Sequence, residues 1–170
     1  MDILGTIGVF AKKILNNTEK DIGITSAHVI WEGCSARVRI GGSDREIGHC
    51  IWPPRPASKS LEARVLDMAV IEMKSDITET ISTSKNISVY SGQKEELDSQ
   101  KVYKCGSENE ETEGDIEDTQ FNMFGKTVML ITRADGQKFS EPGDSGALVL
   151  TEKGVHLHAL GLVFGDDLDF

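Results

Sequence analysis

The chain has 170 residues and a mass of 18.6 kDa, and its 28 acidic and 18 basic side chains give a formal net charge of −10. This length predicts one domain, or two small half-domains that share a core, and no apolar run approaches the roughly 20 residues of a membrane-spanning helix. The acidic balance argues against a phosphate-binding surface, so we predict neither a nucleic acid nor a membrane as partner.

Short runs rich in β-branched residues dominate the chain, and many alternate in polarity, which predicts strands. In the first half, the predicted strands are 3–11, 22–30, 36–40, 46–52 and 64–73. Between them lie segments typical of turns or loops, because they contain Asn, Gly or Pro. These segments are Asn16-Asn17, Gly41-Gly42 and 53–56.

The second half repeats this pattern after a polar stretch rich in Ser and Thr. Its predicted strands are 87–90, 101–105, 119–123, 127–132, 147–150 and 155–164. Many short strands in two groups, without βαβ alternation, predict an all-β protein, either an antiparallel sandwich or a pair of small barrels. We therefore divide the chain into an N-terminal unit 1–76, a linker 77–85 and a C-terminal unit 86–170.

The negative charge is concentrated in two places. Seven acids without a Lys or Arg lie between Glu108 and Asp118, and three more, Asp166, Asp167 and Asp169, lie near the end of the chain. The other residues carry 18 acids (28 − 7 − 3) and 18 bases and are formally neutral. We interpret 108–118 as an acidic loop that either steers cationic partners or is a solvated loop without a role.

Three cysteines, Cys34, Cys50 and Cys105, are an odd number without CxxC spacing. A secreted domain of this size more often has paired cysteines, and the N-terminus lacks the basic region of a signal peptide. We therefore expect reduced, mostly buried thiols in a cytoplasmic protein, with one disulfide and a free thiol as the alternative. No ligand cluster has the spacing of a zinc site, so we predict no metal and no cofactor.

The most specific local signal is the tetrapeptide Gly143-Asp144-Ser145-Gly146. A serine hydroxyl is a weak nucleophile that needs a base to take its proton. Flanking glycines allow a sharp turn, in which the N–H groups of Gly143 and Ser145 can converge on a developing oxyanion. Taken alone, the tetrapeptide is equally typical of a surface turn.

Two upstream residues could supply the rest of this chemistry. His28 ends a strand-like run of small residues, and imidazole exchanges a proton near neutral pH. Asp67 places a carboxylate in an otherwise apolar strand, and orienting an imidazole is one way to satisfy it. Each has an ordinary alternative, which is a core or loop histidine and a carboxylate at a bulge or a water-facing edge.

The chain order His28, Asp67, Ser145, with an Ala-His pair, an Asp-x-Ala-x-Ile strand and the GDSG turn, resembles the chymotrypsin-like serine peptidases. Weaker similarities at 5–8, 101–106 and 160–165 extend the resemblance over nearly the whole chain. The G-x-S-x-G elbow of esterases is absent. The resemblance implies two six-stranded antiparallel β-barrels with the active site in the cleft between them.

The resemblance also implies an activity, that of a serine endopeptidase hydrolysing polypeptides. Ser145 would be the nucleophile, His28 the general base, and Asp67 the residue that orients the imidazole, while Gly143 and Ser145 would form the oxyanion hole. Losing a member of such a triad typically costs a factor of about 10⁴ to 10⁶ in turnover. The alternative is a catalytically silent peptidase-like module that binds other proteins.

By the same resemblance, the segments 135–140 and 164–166 form the walls of a substrate pocket. Two phenylalanines would make the pocket apolar, whereas Asp135 or Asp166 would make it accept Lys or Arg, so both specificities stay open. The candidate lining residues are Phe139, Phe164, Gly165 and Asp166.

The chain departs from the secreted members of that family in two respects. It has no cystine beside His28, and it lacks their Ile-Val-Gly-Gly activation sequence. It therefore resembles a compact, intracellular type, and Asp144 is left without the N-terminal ammonium partner of zymogen-derived enzymes. We hypothesise that a fused regulatory domain or an activator protein controls the activity.

Overall fold

The computed structural model describes residues 4–40, 43–54, 67–78, 87–106, 111–123 and 125–165 of the chain. Their strands form two sheets, one in each half of the chain. Helical structure in these residues is limited to the four-residue helix α1 (Ser75–Thr78) and one 3-10 turn at Lys94–Leu97. The predicted all-β class is therefore confirmed.

The first sheet contains five antiparallel strands. They are β1 (Val9–Leu15), β2 (Thr18–Thr25), β3 (Ser35–Ile40), β4 (Ser43–Trp52) and β5 (Ala69–Met73). They lie in the order β1-β2-β5-β4-β3. The predicted turn at Asn16-Asn17 closes the first hairpin with φ of 49° and 61°, which asparagine tolerates better than most residues.

The second sheet contains six strands. They are β6 (Ile87–Val89), β7 (Lys101–Cys105), β8 (Glu111–Met123), β9 (Lys126–Thr132), β10 (Leu148–Lys153) and β11 (His156–Leu162). Their order is β6-β11-β10-β7-β8-β9, with β6 and β11 parallel and the other neighbours antiparallel. This order places β7 beside β10, the strand that follows the candidate oxyanion turn.

Each sheet has its own hydrophobic core. Cys50 and Ile71 are almost fully buried in the first core, and Val102 and Ile116 in the second. Fully burying an aliphatic side chain of this size contributes about 1.5–3 kcal/mol relative to leaving it exposed. The two halves are therefore stabilised by separate clusters of side chains.

The barrels implied by the resemblance are not seen among the described residues. Each strand order has two ends, so neither sheet closes on itself, and the first sheet has five strands rather than six. The last residues of the predicted linker, 79–85, lie outside the described residues, and its first two belong to α1. No helix in the described part of the chain is both long and apolar enough to cross a bilayer.

The prediction of an acidic loop at 108–118 is wrong for the residues that the structure describes there. From Glu111 onwards the segment belongs to β8, which pairs with β7 and β9. Gly114 and Ile116 face inward while Glu113 and Glu117 are exposed, so the acids occupy the outer face of a strand. The sequence does not predict this part of β8 as a strand, because the glycine at an inner position interrupts the alternation of apolar and polar residues.

The first strand also differs from its predicted position. β1 begins at Val9, and residues 4–8 run outside the sheet instead of forming its start. The three cysteines are free thiols, as expected, although Cys34 is half-buried and Cys105 exposed. Burial raises the pKa of the Cys50 thiol.

Candidate active site

His28 and Asp67 are joined by two hydrogen bonds. The backbone N–H of His28 donates to Asp67 Oδ1 at 2.9 Å, and His28 Nδ1 lies 2.7 Å from Asp67 Oδ2. Because an ionised carboxylate only accepts hydrogen bonds, Nδ1 carries the proton and the Nε2 lone pair is left to accept another. The pair therefore has the tautomer that a general base requires.

The first sheet brings these two residues together. β2 ends at Thr25, opposite Ala69 at the start of β5, so the residues that follow β2 meet those that precede β5. A turn closed by the Val29 N–H and the Ser26 carbonyl, at 3.2 Å, places His28 next to Asp67. The carboxylate thus stands at the entrance to β5 rather than inside the apolar strand.

Ser145 lies in a turn that only glycines can flank. The φ angles of Gly143 and Gly146 are +103° and +94°, where a Cβ would be strained. Among the described residues, no backbone acceptor takes the N–H groups of Gly143 and Ser145, whereas that of Asp144 donates to Glu141 O at 2.9 Å. These two N–H groups thus meet one requirement of an oxyanion hole, which is that its donors are not used by the backbone.

The segment Leu4–Gly8 joins this turn to the first sheet. Thr6 N–H donates to Ser145 O at 2.8 Å, and Thr6 Oγ1 donates to Gly143 O at the same distance. On its other side, Thr6 O accepts a hydrogen bond of 2.6 Å from Thr25 Oγ1. Thr6 therefore bridges the last residue of β2 and both ends of the Gly143–Ser145 turn.

The backbone segments around Thr6, Thr25 and Gly146 approach each other closely, and we call this contact between the two halves the seam. A Cβ on Gly146 would overlap Thr25 Oγ1 and Thr6 O, so the two halves of the molecule meet there without room for a side chain. A Cβ on Gly5 would lie 2.6 Å from a methyl of Val29, the neighbour of His28, and 3.1 Å from Ser145 O. The segments that carry His28 and Ser145 therefore meet on either side of Gly5, and no hydrogen bond joins the two side chains within the described residues.

Asp144 has a partner that sequence reasoning missed. Its Oδ2 lies 2.7 Å from Lys104 Nζ on β7, with only 7% and 4% of the two side chains exposed. The same oxygen accepts the Glu141 N–H at 2.9 Å. A signal for Lys104 exists, because it lies two positions after the fully buried Val102 and shares its face of the strand.

The segments predicted to form pocket walls are adjacent. Ser140 Oγ donates to Gly165 O at 3.3 Å, and Phe164 beside it is half-buried. Phe139, in contrast, packs in the second core with 9% of its surface exposed, which leaves little of its ring for a pocket wall. Asp166 lies outside the described residues.

Asp135, the other candidate for recognising a cationic substrate, already has a cationic partner. Arg133 binds its carboxylate through two nitrogens, and this hydrogen bonding holds the pKa of Asp135 below its usual value. Both residues line a cavity of about 200 Å³ that also includes Lys101 and Asp115. This cavity contains none of the candidate catalytic residues.

Among the described residues, no cluster of three or more His, Cys, Asp or Glu side chains could hold a metal ion. A scan against protein-family models and a search of curated proteins find no match for this chain.

Proposed function

We propose that the protein is a serine endopeptidase in which Ser145, His28 and Asp67 form the catalytic triad. The observation that carries the proposal is the pair of hydrogen bonds between His28 and Asp67, at 2.9 and 2.7 Å. The backbone N–H holds the Asp67 carboxylate in place, and the Nδ1 contact with that ionised carboxylate orients the ring and favours the proton on Nδ1. Further support comes from the contacts at Thr6 and Gly146, which join Thr25, three residues before His28, to the turn that carries Ser145.

The proposed reaction is acyl transfer. Ser145 Oγ attacks the scissile carbonyl carbon while His28 Nε2 takes the hydroxyl proton, and Asp67 stabilises the resulting imidazolium. The N–H groups of Gly143 and Ser145 donate to the oxyanion of the tetrahedral intermediate. The C–N bond breaks as His28 returns the proton to the leaving amine. A water molecule, deprotonated by His28, then hydrolyses the acyl-enzyme and regenerates Ser145.

The chymotrypsin-like double barrel is part of this proposal. Its support is the division of the chain into two sheets with separate cores and the position of His28 and Asp67 in the first half, with Ser145 in the second. Polypeptides are the proposed substrates. Since Arg133 already neutralises Asp135, a preference for Lys or Arg would have to come from Asp166.

One observation bears on the alternative, which is a silent peptidase-like module that binds other proteins. The Ser145 hydroxyl makes no hydrogen bond to His28 in the described structure. Catalytic hydrogen bonds are often long before a substrate binds, so this observation fits either function. An activity-based probe separates the two.

The test is covalent labelling by a fluorophosphonate, which phosphonylates an activated serine. We expect the wild-type chain to be labelled, Ser145→Ala to be unlabelled, and His28→Ala to lose most of the labelling. Ser91→Ala, at an exposed serine outside the site, is the matched control and should behave like wild type. A folded wild-type protein without Ser145-dependent labelling would contradict the enzyme proposal and leave the binding module.

A further inference from the structure

Two hydrogen bonds and close packing against Gly106 hold the Asp144 carboxylate next to the candidate oxyanion turn. Its Oδ2 accepts from Lys104 Nζ at 2.7 Å and from the Glu141 N–H at 2.9 Å. A Cβ on Gly106 would overlap Oδ1 and lie 2.8 Å from Asp144 Cγ, so the absence of a side chain there makes room for the carboxylate. The residue immediately before Ser145 is therefore fixed from the interior of the second sheet.

Lys104 is an unusual residue for its position. Its side chain is 4% exposed on β7, its Nζ lies 3.3 Å from Thr112 Oγ1 on β8, and it stands 5.7 Å from the centre of the Phe139 ring. Burying a lysine is costly unless a partner compensates its charge. Within the described residues, its one carboxylate partner is Asp144.

The backbone transmits this constraint to the candidate oxyanion donors. The Gly143 N–H belongs to the peptide unit 142–143 and the Ser145 N–H to the unit 144–145. The unit 143–144 between them ends at Asp144, so the directions of both N–H groups depend on how Asp144 is held. Gly143, with φ at +103°, can rotate readily if that constraint is lost. An unpaired buried carboxylate would turn towards water and carry both peptide units with it.

Resting on the proposed peptidase function, we propose that Lys104 is the positioning residue that sets the oxyanion hole. It supplies the interior positive charge that a new N-terminus provides in the zymogen-derived members of the family that this chain resembles. Because this charge belongs to the unmodified chain, the turn is organised as the chain folds. Neither proteolytic maturation nor an activator protein is then required for catalysis.

The test compares two lysines of the same sheet that differ in burial. Lys104→Met removes the buried pair. Lys153→Met is the matched control, because Lys153 also binds a carboxylate, that of Glu96 at 3.0 Å, and lies 5.6 Å from the centre of the Tyr90 ring, yet is 63% exposed. Both variants are titrated with fluorophosphonate, and the maximal rate constant, the half-saturating concentration and the final labelled fraction are measured separately.

We expect Lys104→Met to lower the maximal labelling rate constant about 10²- to 10³-fold, the loss that removal of one oxyanion donor produces. The half-saturating probe concentration and the final labelled fraction should stay within about twofold of wild type, since the error in the turn affects the transition state. The low-field proton resonance of the His28–Asp67 hydrogen bond should be unchanged. Lys153→Met should match wild type in every measurement.

A purely structural role of Lys104 gives a different result and would overturn the proposal. In that case the labelled fraction of Lys104→Met falls with the folded fraction, while the rate constant stays at the wild-type value. If Lys104→Met does not fold, Gly106→Ala replaces it, because that variant displaces the carboxylate and keeps both charges. Wild-type labelling rates in folded Gly106→Ala would equally overturn the proposal.

The wild-type protein separates this inference from the proposed function. Ser145-dependent labelling that occurs only after an activator or a flanking segment is added would refute the self-organised turn and leave the peptidase intact. No Ser145-dependent labelling under any condition would refute the peptidase itself, and the role of Lys104 with it.

Discussion

Each half of the molecule contains a nitrogen base held by a carboxylate, and the two pairs have the same length. His28 Nδ1 and Lys104 Nζ each lie 2.7 Å from an oxygen of their partner. The side chains of His28 and Asp67 are 24% and 12% exposed, whereas those of Lys104 and Asp144 are 4% and 7% exposed. The pairs differ in access to solvent rather than in distance.

This difference determines what each pair can do. An imidazole that gains and loses a proton in every catalytic cycle must be reached by substrate and water. A pair sealed from water keeps its charges in a weakly screened environment, and breaking it costs about 3–5 kcal/mol because one buried charge is left unpaired. The His28–Asp67 pair, which we call the open pair, therefore fits a group whose charge changes during the reaction. The Lys104–Asp144 pair, which we call the sealed pair, fits a group whose charge stays constant.

The largest expected effect breaks the open pair. Asp67→Asn should lower the rate constant of Ser145 phosphonylation about 10⁴-fold, because an amide nitrogen donates to the ring and favours the wrong imidazole tautomer. Thermal unfolding should change little, since the amide oxygen still accepts the His28 backbone N–H. Phosphonylation rates and unfolding curves of the same samples measure both quantities.

The matched control for that variant is Glu72→Gln, a carboxylate-to-amide change on β5 that removes the ion pair with Lys20. It should retain the wild-type rate. A rate for Asp67→Asn within about tenfold of wild type would mean that the His28–Asp67 contact is structural, and the contrast between the two pairs would then lose its functional meaning.

Local patterns together with the family resemblance predict the His28–Asp67 pair, but they do not predict the Lys104–Asp144 pair. His28 and Asp67 are readable as candidates because each is a polar residue next to an apolar, strand-like run and the GDSG turn supplies a reason for them. Lys104 was not readable in this way, because lysine is almost always exposed. The available signal is its position two residues after Val102, which puts both side chains on the same face of a strand. The identity of its partner, however, depends on strand pairing across the sheet.

The role of Thr6 was beyond local reasoning for another reason. Its two contacts with the Gly143–Ser145 turn exist because β1 starts only at Val9 and the preceding residues cross to the other half. Strand propensity predicted that β1 would include Thr6. Where a strand begins is decided by its partner's length and by tertiary contacts, and neither is written in the local sequence.

The next largest effect is expected at the seam, where the two halves of the molecule meet. Gly146→Ala should lower the free energy of unfolding by about 2–5 kcal/mol, because the new Cβ overlaps Thr25 Oγ1 and Thr6 O at a φ of +94°. Gly154→Ala is the control for backbone strain alone, since its φ is +68° and no atom lies within 4 Å of its Cβ. We expect about 1–2 kcal/mol there.

Urea denaturation of both variants measures the difference. If Gly146→Ala and Gly154→Ala lower the free energy of unfolding equally, the seam can accommodate a methyl group. The position of Ser145 relative to His28 would then depend on Thr6 hydrogen bonds alone.

The smallest expected effect concerns carboxylates that are exposed on the outer face of β8. Glu111→Gln combined with Glu117→Gln should raise KM for a Lys- or Arg-rich peptide about twofold at low salt and leave a neutral peptide unchanged, if this face steers cationic substrates. The effect should vanish near 1 M salt, where the Debye length is about 3 Å. Glu19→Gln with Glu152→Gln removes the same charge from other exposed sites. An equal response to both double variants would mean that net charge, rather than its position on β8, acts on the substrate. Asp67 and Asp144 differ from these surface carboxylates, because their proposed effects depend on the contacts that hold each of them in place.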